Sequence, residues 1–286
     1  MRLQQGFLVY DTKNDRYYID YKKTLSIVVN ELLLELLLKN RHYFKGKLLD
    51  LGCGKRPYTL IYNQQVDCSI GTEVSFSPHG INEADIVCLA EHVPFRNQQF
   101  DTILCTEVLE HTRQPFQVMQ EISRLLKPGG HLVLSVPFIY PIHEAPHDHW
   151  RFTRYGLERI CHESGLEVLR IYTKGGIFVT ILILIHHVVV RAINLVSNIL
   201  HLEPPLYDRP ALRWFICQPQ WWYLHISRWL RQQASDLLLP LNRTISYQLQ
   251  RPQALDEVNE WMTCGYLVVA RKPLEHSYYE DQATTP

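Results

Sequence analysis

The feature that most constrains the fold is an apolar strand that ends in a glycine turn. Residues 48–54 read Leu-Leu-Asp-Leu-Gly-Cys-Gly. Gly52 and Gly54 allow a sharp turn and let a ligand approach the main chain. Asp50 separates this turn from phosphate-binding loops, because a carboxylate repels phosphate and attracts a cationic amino group. The pattern predicts a strand–turn–helix unit that binds a nucleotide-type cofactor; the alternative is a tight turn in some other α/β protein.

A second acidic residue follows at the spacing expected of such a unit. Glu73 ends the short segment 69–73, about 20 residues further on, where a carboxylate reaches ribose hydroxyls in βαβ sites. The alternative for Glu73 is a solvated surface acid. Arg56 and Pro57 depart from the dinucleotide fingerprint, so a nicotinamide-dependent oxidoreductase is disfavoured.

Further motifs follow in order: Val93-Pro94-Phe95, Phe100-Asp101, residues 107–111 (E-V-L-E-H), 126–130 (L-K-P-G-G) and 147–153 (H-D-H-W-R-F-T). With the glycine turn, they resemble the class I S-adenosylmethionine-dependent methyltransferases, and among these the bacterial type 11-like branch with an HD-x-WRFT motif. The resemblance covers roughly residues 45–172 and a final strand near 263–271. It implies a Rossmann-like α/β sheet, parallel with an antiparallel last strand, and S-adenosyl-L-methionine as cofactor.

The resemblance also implies which residues hold each part of the cofactor. Asp50, Gly52, Cys53 and Gly54 would cradle the methionine part. Glu73 would accept hydrogen bonds from both ribose hydroxyls, which are neutral donors matched to a charged acceptor.

The adenine edge departs from the family pattern. The family often carries an acid before its A-E-x-L-P-F run, whereas this chain has Leu89 ahead of Ala90. We therefore expect main-chain groups near Leu89 and Ala90 to contact the ring edge, with Glu91 as a weaker candidate. Thr106 and Glu107 end the fourth strand and are expected beside the sulfonium and its methyl group.

Acceptor chemistry is expected from two loops. His111 closes the E-V-L-E-H motif, where a base and a loop-orienting histidine are both open interpretations. His143, His147 and Asp148 follow the fifth strand and could deprotonate a hydroxyl acceptor, since histidine titrates near neutral pH. The alternative for Asp148 is an ion pair with Arg151 that fixes the loop.

The same loop contains a formal zinc pattern, because residues 143–147 read H-E-x-x-H. That pattern needs a helix to bring both histidines onto one face. Pro141 and Pro146 oppose a helix here, so the sequence predicts no metal.

Composition narrows the class of protein further. The chain has 286 residues and a formal net charge of zero, so no electrostatic nucleic-acid partner is expected. Its 7 cysteines show neither zinc nor disulfide spacing, which favours the reducing cytoplasm. No signal-peptide pattern is present at the N-terminus. Oligomeric state stays open.

Five segments are expected along the chain. Residues 1–45 form an extended N-terminal arm and a covering helix, and 46–174 form the catalytic domain. Residues 175–257 are a hydrophobic helical insertion, 258–273 contain the final strand of the catalytic domain, and 274–286 are a disordered tail.

The insertion is very apolar at 177–200 and rich in tryptophan and arginine at 213–231. His186, His187 and Arg191 lie in the middle of the apolar helix, which opposes a transmembrane span. A helix with a broad apolar face suits the surface of a bilayer. We therefore expect peripheral contact with the inner leaflet through 177–231; the alternatives are a dimer interface and a plain helical cap.

The leading hypothesis is a methyltransferase that acts on oxygen or nitrogen of a small or lipid-linked acceptor. Saccharide-lipid intermediates and quinone-like compounds are the first acceptor classes to test. The alternative is a non-catalytic, cofactor-binding, membrane-associated scaffold, which Leu89 in place of the family's acid makes worth considering.

Overall fold

The computed structural model describes residues 2–20, 26–201 and 262–274. The chain starts with a small three-stranded antiparallel sheet, made of β1 (Arg2–Gln5), β2 (Leu8–Asp11) and β3 (Arg16–Ile19). The expected extended arm is therefore folded. Leu8 is buried in an apolar cluster with residues of the catalytic domain, so the N-terminal residues pack on that domain and do not form a free arm.

The covering helix α1 spans Ile27–Lys39. Its buried leucines, among them Leu33 and Leu37, share an apolar cluster with the first strands and with the central sheet. Apolar residues recur at helical spacing between 25 and 36, so the sequence predicts a covering helix over 21–39. The first part of that range, 21–25, lies outside the described residues.

A seven-stranded sheet forms the centre of the catalytic domain. Its strands are β4 (Lys47–Leu51), β5 (Cys68–Glu73), β6 (Ile86–Val87), β7 (Phe100–Thr106), β8 (Leu126–Pro137), β9 (Glu167–Thr173) and β10 (Gly265–Arg271). Their order is β6-β5-β4-β7-β8-β10-β9. β10 is antiparallel to both neighbours, whereas β4, β5, β6, β7 and β8 pair in parallel. The Rossmann-like sheet with an antiparallel last strand is confirmed.

Within the described ranges, four further α-helices follow α1: α2 (Thr59–Tyr62), α3 (Pro115–Leu125), α4 (Arg154–Glu163) and α5 (Ile177–Ile199). The helix after the glycine turn, α2, is a single turn, because the short stretch 55–67 must also return the chain to β5. The sequence predicts a helix over 154–164 with Thr153 as its cap, and α4 begins there: Thr153 Oγ1 accepts a hydrogen bond from the Gly156 N–H at 3.1 Å.

The sequence predicts a strand at 131–136 after a Lys-Pro-Gly-Gly breaker, whereas strand β8 begins five residues earlier, at Leu126. Its Lys-Pro-Gly-Gly segment is extended and pairs with the chain beyond β10. The Gly129 N–H donates to the Lys272 carbonyl at 2.8 Å, and the Lys272 N–H donates to the Gly130 carbonyl at 2.9 Å. These partners satisfy main-chain groups that a solvent-exposed breaker would leave to water.

The sheet is buried on both faces, and successive residues of its strands alternate between them. Ile103 faces the layer that holds α3 and α4, whereas Leu104 faces α1 and the N-terminal sheet. This two-sided burial places the carboxyl ends of β4, β5 and β7 at one edge, where the glycine turn and both acidic residues lie.

Helix α5 is the described part of the insertion. Val179 and Ile183 pack on the start of α1, while much of the remaining surface is apolar and exposed. The exposed apolar residues are Ile181, Ile185, Val188, Val189, Leu195, Val196 and Ile199. Segment Val179–Ile199 has a mean hydropathy of 2.1, so α5 has the length and composition needed to cross a membrane. The rest of the insertion, with the tryptophans and arginines of 213–231, lies outside the described residues, as does the tail 275–286.

Candidate functional site

The glycine turn after β4 is held closely by its neighbours. Gly52 has φ +70°, and a Cβ atom added there would lie 2.3 Å from Val108 Cγ2. The Cys53 N–H donates to the Thr72 carbonyl at 2.9 Å, which ties the turn to β5. Gly54 has φ +53° and is less crowded. The position of Gly52 therefore requires glycine, and the turn beyond it presents main chain to the edge of the sheet.

Asp50 lies beneath this turn and is almost fully buried. Its Oδ2 accepts a hydrogen bond from the Tyr62 hydroxyl at 2.9 Å. Burial raises the pKa of Asp50 to about 6, and the Tyr62 hydrogen bond and the Arg56 charge offset this only in part. A cationic amino group in the turn would stabilise the charged form of Asp50.

Glu73 ends β5 and is buried, which excludes the solvated surface acid. Its Oε2 accepts from the Gly54 N–H at 2.7 Å, and its Oε1 accepts from the Val74 N–H at 2.8 Å. A carboxylate has about four lone-pair sites, so both oxygens can still accept from hydroxyl donors. Glu73 thus links the glycine turn to the end of β5, where a ribose diol is expected.

The expected adenine edge lies next to Glu73. The Cys88 N–H donates to the Glu73 carbonyl at 3.0 Å, and Leu89 follows with half of its surface exposed. Ala90 is buried. An aliphatic surface therefore stands where the family often has an acid, and hydrogen bonding at this edge would come from the main chain.

Thr106 ends β7, and Glu107 follows with φ +54°, which is uncommon for a residue with a side chain. The Glu107 N–H donates to the Ser135 carbonyl at 3.0 Å. Its Oε1 accepts from Ser135 Oγ at 2.6 Å and from Lys174 Nζ at 2.5 Å. These bonds hold the strained residue in place. The sequence did not indicate Lys174 as a site residue, because it belongs to no motif. The Lys-Gly-Gly segment that it begins shows only a change in composition.

The two loops that are expected to bind the acceptor meet at His111 and His143. The His111 and His143 rings pack edge to face, with centroids 4.8 Å apart. His111 Nε2 lies 3.6 Å from Glu110 Oε1 and 3.9 Å from Glu144 Oε2. Glu110 is fully buried, so burial first, and then the charge of Glu107, raise its pKa well above the usual range. The sequence did not predict that Glu110 joins this group.

Asp148 has the loop-fixing role that the sequence left as an alternative. Arg151 forms a two-pronged ion pair with it, at 2.5 Å and 2.7 Å. Burial alone would raise the pKa of Asp148, but Arg151 and the His143 N–H lower it to about 2. Such a carboxylate is a weak base, so direct catalysis by Asp148 is disfavoured. Burial lowers the pKa of His143, which keeps its ring neutral near pH 7.

Two contacts join the loop after β5 to the loop after β8. His79 Nε2 lies 3.0 Å from Glu144 Oε1, and the rings of Phe76 and His147 are 5.0 Å apart. A Cβ atom at Gly54 would lie 3.5 Å from His79 Cβ, so this bridge passes next to the glycine turn. Residues 143–147 do not form a helix, which leaves the H-E-x-x-H pattern without the geometry of a zinc protease.

Several proteins of known sequence are similar to this chain over part of their length. An uncharacterized protein of Methanocaldococcus jannaschii is 27% identical over 124 residues, which are 43% of this chain and 60% of that protein. A ubiquinone biosynthesis O-methyltransferase of Vibrio atlanticus is 27% identical over 156 residues, covering 44% of this chain and 65% of the enzyme. The matches thus span under two thirds of these relatives.

Among solved structures, the [4+2]-cyclase SpnF is similar with a TM-score of 0.50 and 18% sequence identity. The match covers 85% of this chain and 81% of the cyclase. At this identity the similarity shows the fold alone.

The residues at the sheet edge fit S-adenosylmethionine, which the class I methyltransferase fold binds. Buried Asp50 faces a glycine turn that leaves room for an amino-acid part, and buried Glu73 keeps acceptor capacity for a diol. The aliphatic surface at Leu89 does not oppose a purine ring.

One further comparison decides the family. The model of a family described as "Methyltransferase domain" matches residues 21–172, which is more than half of the 286 residues. This range contains the glycine turn, Glu73, Glu107 and both acceptor loops. The chain therefore belongs to this family and has the fold of the class I, S-adenosylmethionine-dependent methyltransferases.

Proposed function

We propose that this protein transfers a methyl group to oxygen or nitrogen of a small or lipid-linked acceptor. The observation that carries the proposal is the contact between the acceptor loop and the apolar helix α5. The Tyr140 ring packs on His143 of the loop, at 5.3 Å between centroids, and on His187 of α5, at 5.0 Å. Arg191 Nη2 of the same helix also approaches the Ile142 carbonyl at 3.4 Å.

On the cofactor side, we assign binding to Asp50, Gly52, Cys53, Gly54 and Glu73, to the edge formed by Leu89 and Ala90, and to Thr106 and Glu107. When bound, S-adenosylmethionine supplies an activated methyl group on a sulfonium. The protein then has to align the nucleophile and exclude water. The bridge between His79 and Glu144 supports exclusion of water, because it joins two loops across the glycine turn.

On the acceptor side, we assign His143 and His111. His143 is half-buried and held neutral, so it is ready to accept a proton from an acceptor hydroxyl or ammonium group. Asp148 lies 3.1 Å from His143 Nδ1 and positions the ring. The His111 Nδ1 atom lies 3.1 Å from the His147 carbonyl, which orients its ring towards the same space.

A lipid-linked acceptor is supported by the surface next to this loop. α5 packs on α1 along one side and exposes an apolar surface along the other, so it is suited to lie along a bilayer. Burial lowers the pKa of His186 to about 4, which keeps this ring neutral at the apolar surface. We therefore propose peripheral binding at the cytoplasmic leaflet, with α5 parallel to the membrane.

A labelled-methyl assay tests the function. The full-length protein is incubated with methyl-labelled S-adenosylmethionine and, separately, with fractionated cell lipids and soluble extract. Label in the lipid pool supports a lipid-linked acceptor, and label only in the soluble pool supports a small one. Tight S-adenosylhomocysteine binding without transfer to either pool would favour the scaffold alternative.

A further inference from the structure

We propose that Glu110, His111 and His143 form a binding site for a first-row divalent metal ion, with zinc as the expected occupant. One ligand atom from each of these residues lies within 4.8 Å of the others. From the sequence we expected no metal, because the expectation rested only on the H-E-x-x-H pattern of residues 143–147. The group found here uses one residue of that pattern and two from the E-V-L-E-H loop.

Glu110 is the strongest indication. Its side chain is fully buried, and neither of its carboxylate oxygens has a hydrogen-bond partner among the described residues. A buried acceptor without a partner is destabilising, and a buried charge more so. A cation at this position would give both oxygens a partner.

His111 has the arrangement of a metal-binding histidine. Its Nδ1 atom lies 3.1 Å from the His147 carbonyl and can donate its hydrogen there. The lone pair is then on Nε2, which faces Glu110 Oε1 at 3.6 Å and Glu144 Oε2 at 3.9 Å. Donation by the second ring nitrogen to a carbonyl or carboxylate is the usual way in which ligand histidines are oriented.

His143 completes the group from the other loop. Asp148 Oδ2 lies 3.1 Å from its Nδ1 atom, although the pair does not form an aligned hydrogen bond. The nearby carboxylate favours a proton on this nitrogen and leaves the other one free as a ligand. Asp148 is itself fixed by Arg151, so the ring has a supported position.

The charges around the group also favour a cation. Glu107 is neutralised by Lys174, and Asp148 by Arg151. Glu144 pairs with His79 through one oxygen, and its other oxygen faces His111. Among the described residues, Glu110 and Glu144 form no ion pair with a lysine or arginine, and both carboxyl groups lie next to imidazole rings.

The donor set indicates the class of metal. Imidazole nitrogen with carboxylate oxygen suits zinc and neighbouring transition metals better than magnesium or calcium. Three protein ligands with an open position are typical of catalytic zinc sites. His111 and His143 remain partly accessible, with side chains 18% and 27% exposed, which provides an entry path. A role of the metal towards an acceptor oxygen rests on the proposed function, whereas metal binding does not. In the metal-bound protein His143 is a ligand, so its role as a proton acceptor applies to the metal-free protein.

Metal binding can be measured without methyl transfer. Full-length protein is freed of metal with a chelator and titrated with Zn²⁺ by competition calorimetry, and Co²⁺ absorption reports the ligands. We expect one equivalent bound. Glu110→Gln and His143→Gln should each weaken Zn²⁺ binding by at least about 100-fold, because loss of an outer-shell partner alone costs about 10–100-fold. His149→Gln, an exposed histidine in the same loop, is the control and should bind as the wild type does.

Glu110→Gln also separates loss of the site from loss of the fold. An amide cannot ionise, and burial disfavours the ionised form of Glu110, so the metal-free variant should be at least as stable as the wild type while losing stabilisation by Zn²⁺. Absence of stoichiometric Zn²⁺ binding would overturn the site. Equal affinity of wild type and both site variants, or equal loss in His149→Gln, would do the same. Because no assay step uses S-adenosylmethionine, failure here leaves methyl transfer to be judged separately.

Discussion

Lys174 Nζ lies 2.5 Å from Glu107 Oε1, and the Lys174 side chain is completely buried. This pair connects the end of β9, just before the insertion, to the residue that follows β7 at the cofactor site. The conformation of Glu107, with φ +54°, therefore depends on a side chain far away in the sequence.

Replacing Lys174 with methionine should be destabilising, because it leaves the Glu107 carboxylate without its cation. Loss of one member of a buried pair costs about 3–5 kcal/mol. Because Glu107 is partly exposed, we expect the lower end of this range, about 3 kcal/mol. Urea denaturation measures the free energy of unfolding. The double variant Lys174→Met/Glu107→Gln should recover most of the loss. Strict additivity of the two single changes would show that the pair is not coupled.

Glu73→Ala should weaken binding of S-adenosylhomocysteine by about 1.5–3 kcal/mol, the range for hydrogen bonds to a charged group. The variant also loses the acceptors of the Gly54 and Val74 N–H groups. Calorimetry on folded protein is the measurement, with Glu83→Ala as an exposed acidic control. Unchanged affinity in Glu73→Ala would remove Glu73 from the site.

The free energy of unfolding should fall as pH rises from about 4 to about 6, because Asp50 loses its proton in this range. Its carboxyl group holds a proton more tightly in the folded state, where burial raises the pKa to about 6 from 3.8. The native state is thus favoured at low pH, and about 3 kcal/mol of this advantage is lost above pH 6. Asp50→Asn should gain up to that amount over the wild type between pH 4 and 7, yet bind S-adenosylhomocysteine more weakly. Urea unfolding at both pH values tests this, and a difference independent of pH would contradict it.

His143→Ala should lower turnover while leaving the affinity for S-adenosylhomocysteine nearly unchanged, because the residue lies in the acceptor loop. Turnover is measured as transfer of labelled methyl to the acceptor pool, and affinity is measured by calorimetry. His149→Ala serves as a control in the same loop. A parallel fall in both quantities would move His143 to the cofactor side.

Charges on the exposed surface of α5 should abolish membrane binding. Ile185 and Val188 are 55% and 68% exposed, and the double change Ile185→Asp/Val188→Asp places two acids where bilayer contact is proposed. Flotation with anionic liposomes measures binding, which should also weaken as salt screens the basic residues. Tyr155→Asp, on the exposed surface of α4, is the control. A wild-type protein that ignores anionic vesicles at low salt would favour a plain cap, and a stable dimer that buries α5 would favour an interface.

The sequence predicted those parts of the site that depend on strand order. Asp50 and Glu73 end neighbouring parallel strands, so their positions at one edge follow from the fold. The antiparallel direction of the last strand, β10, was likewise implied by the family resemblance, whereas its place between β8 and β9 was not predicted.

Contacts between distant loops were not predictable in the same way. Nothing in the spacing of Lys174 or Glu110 signals burial, and only the folded loops bring His111 next to His143. The N-terminal residues were also misjudged, since their polar and tyrosine-rich composition hides an alternation that supports a small sheet.

The position of β10 has a consequence for synthesis. β8 and β9 are both made long before residues 265–271, yet neither pairs with the other. At roughly 5–20 residues per second, a ribosome must add the whole insertion before the strand between them exists. During that interval two strand edges are open and α5 has already emerged. The sheet therefore closes only after α5, with its exposed apolar surface, has been made.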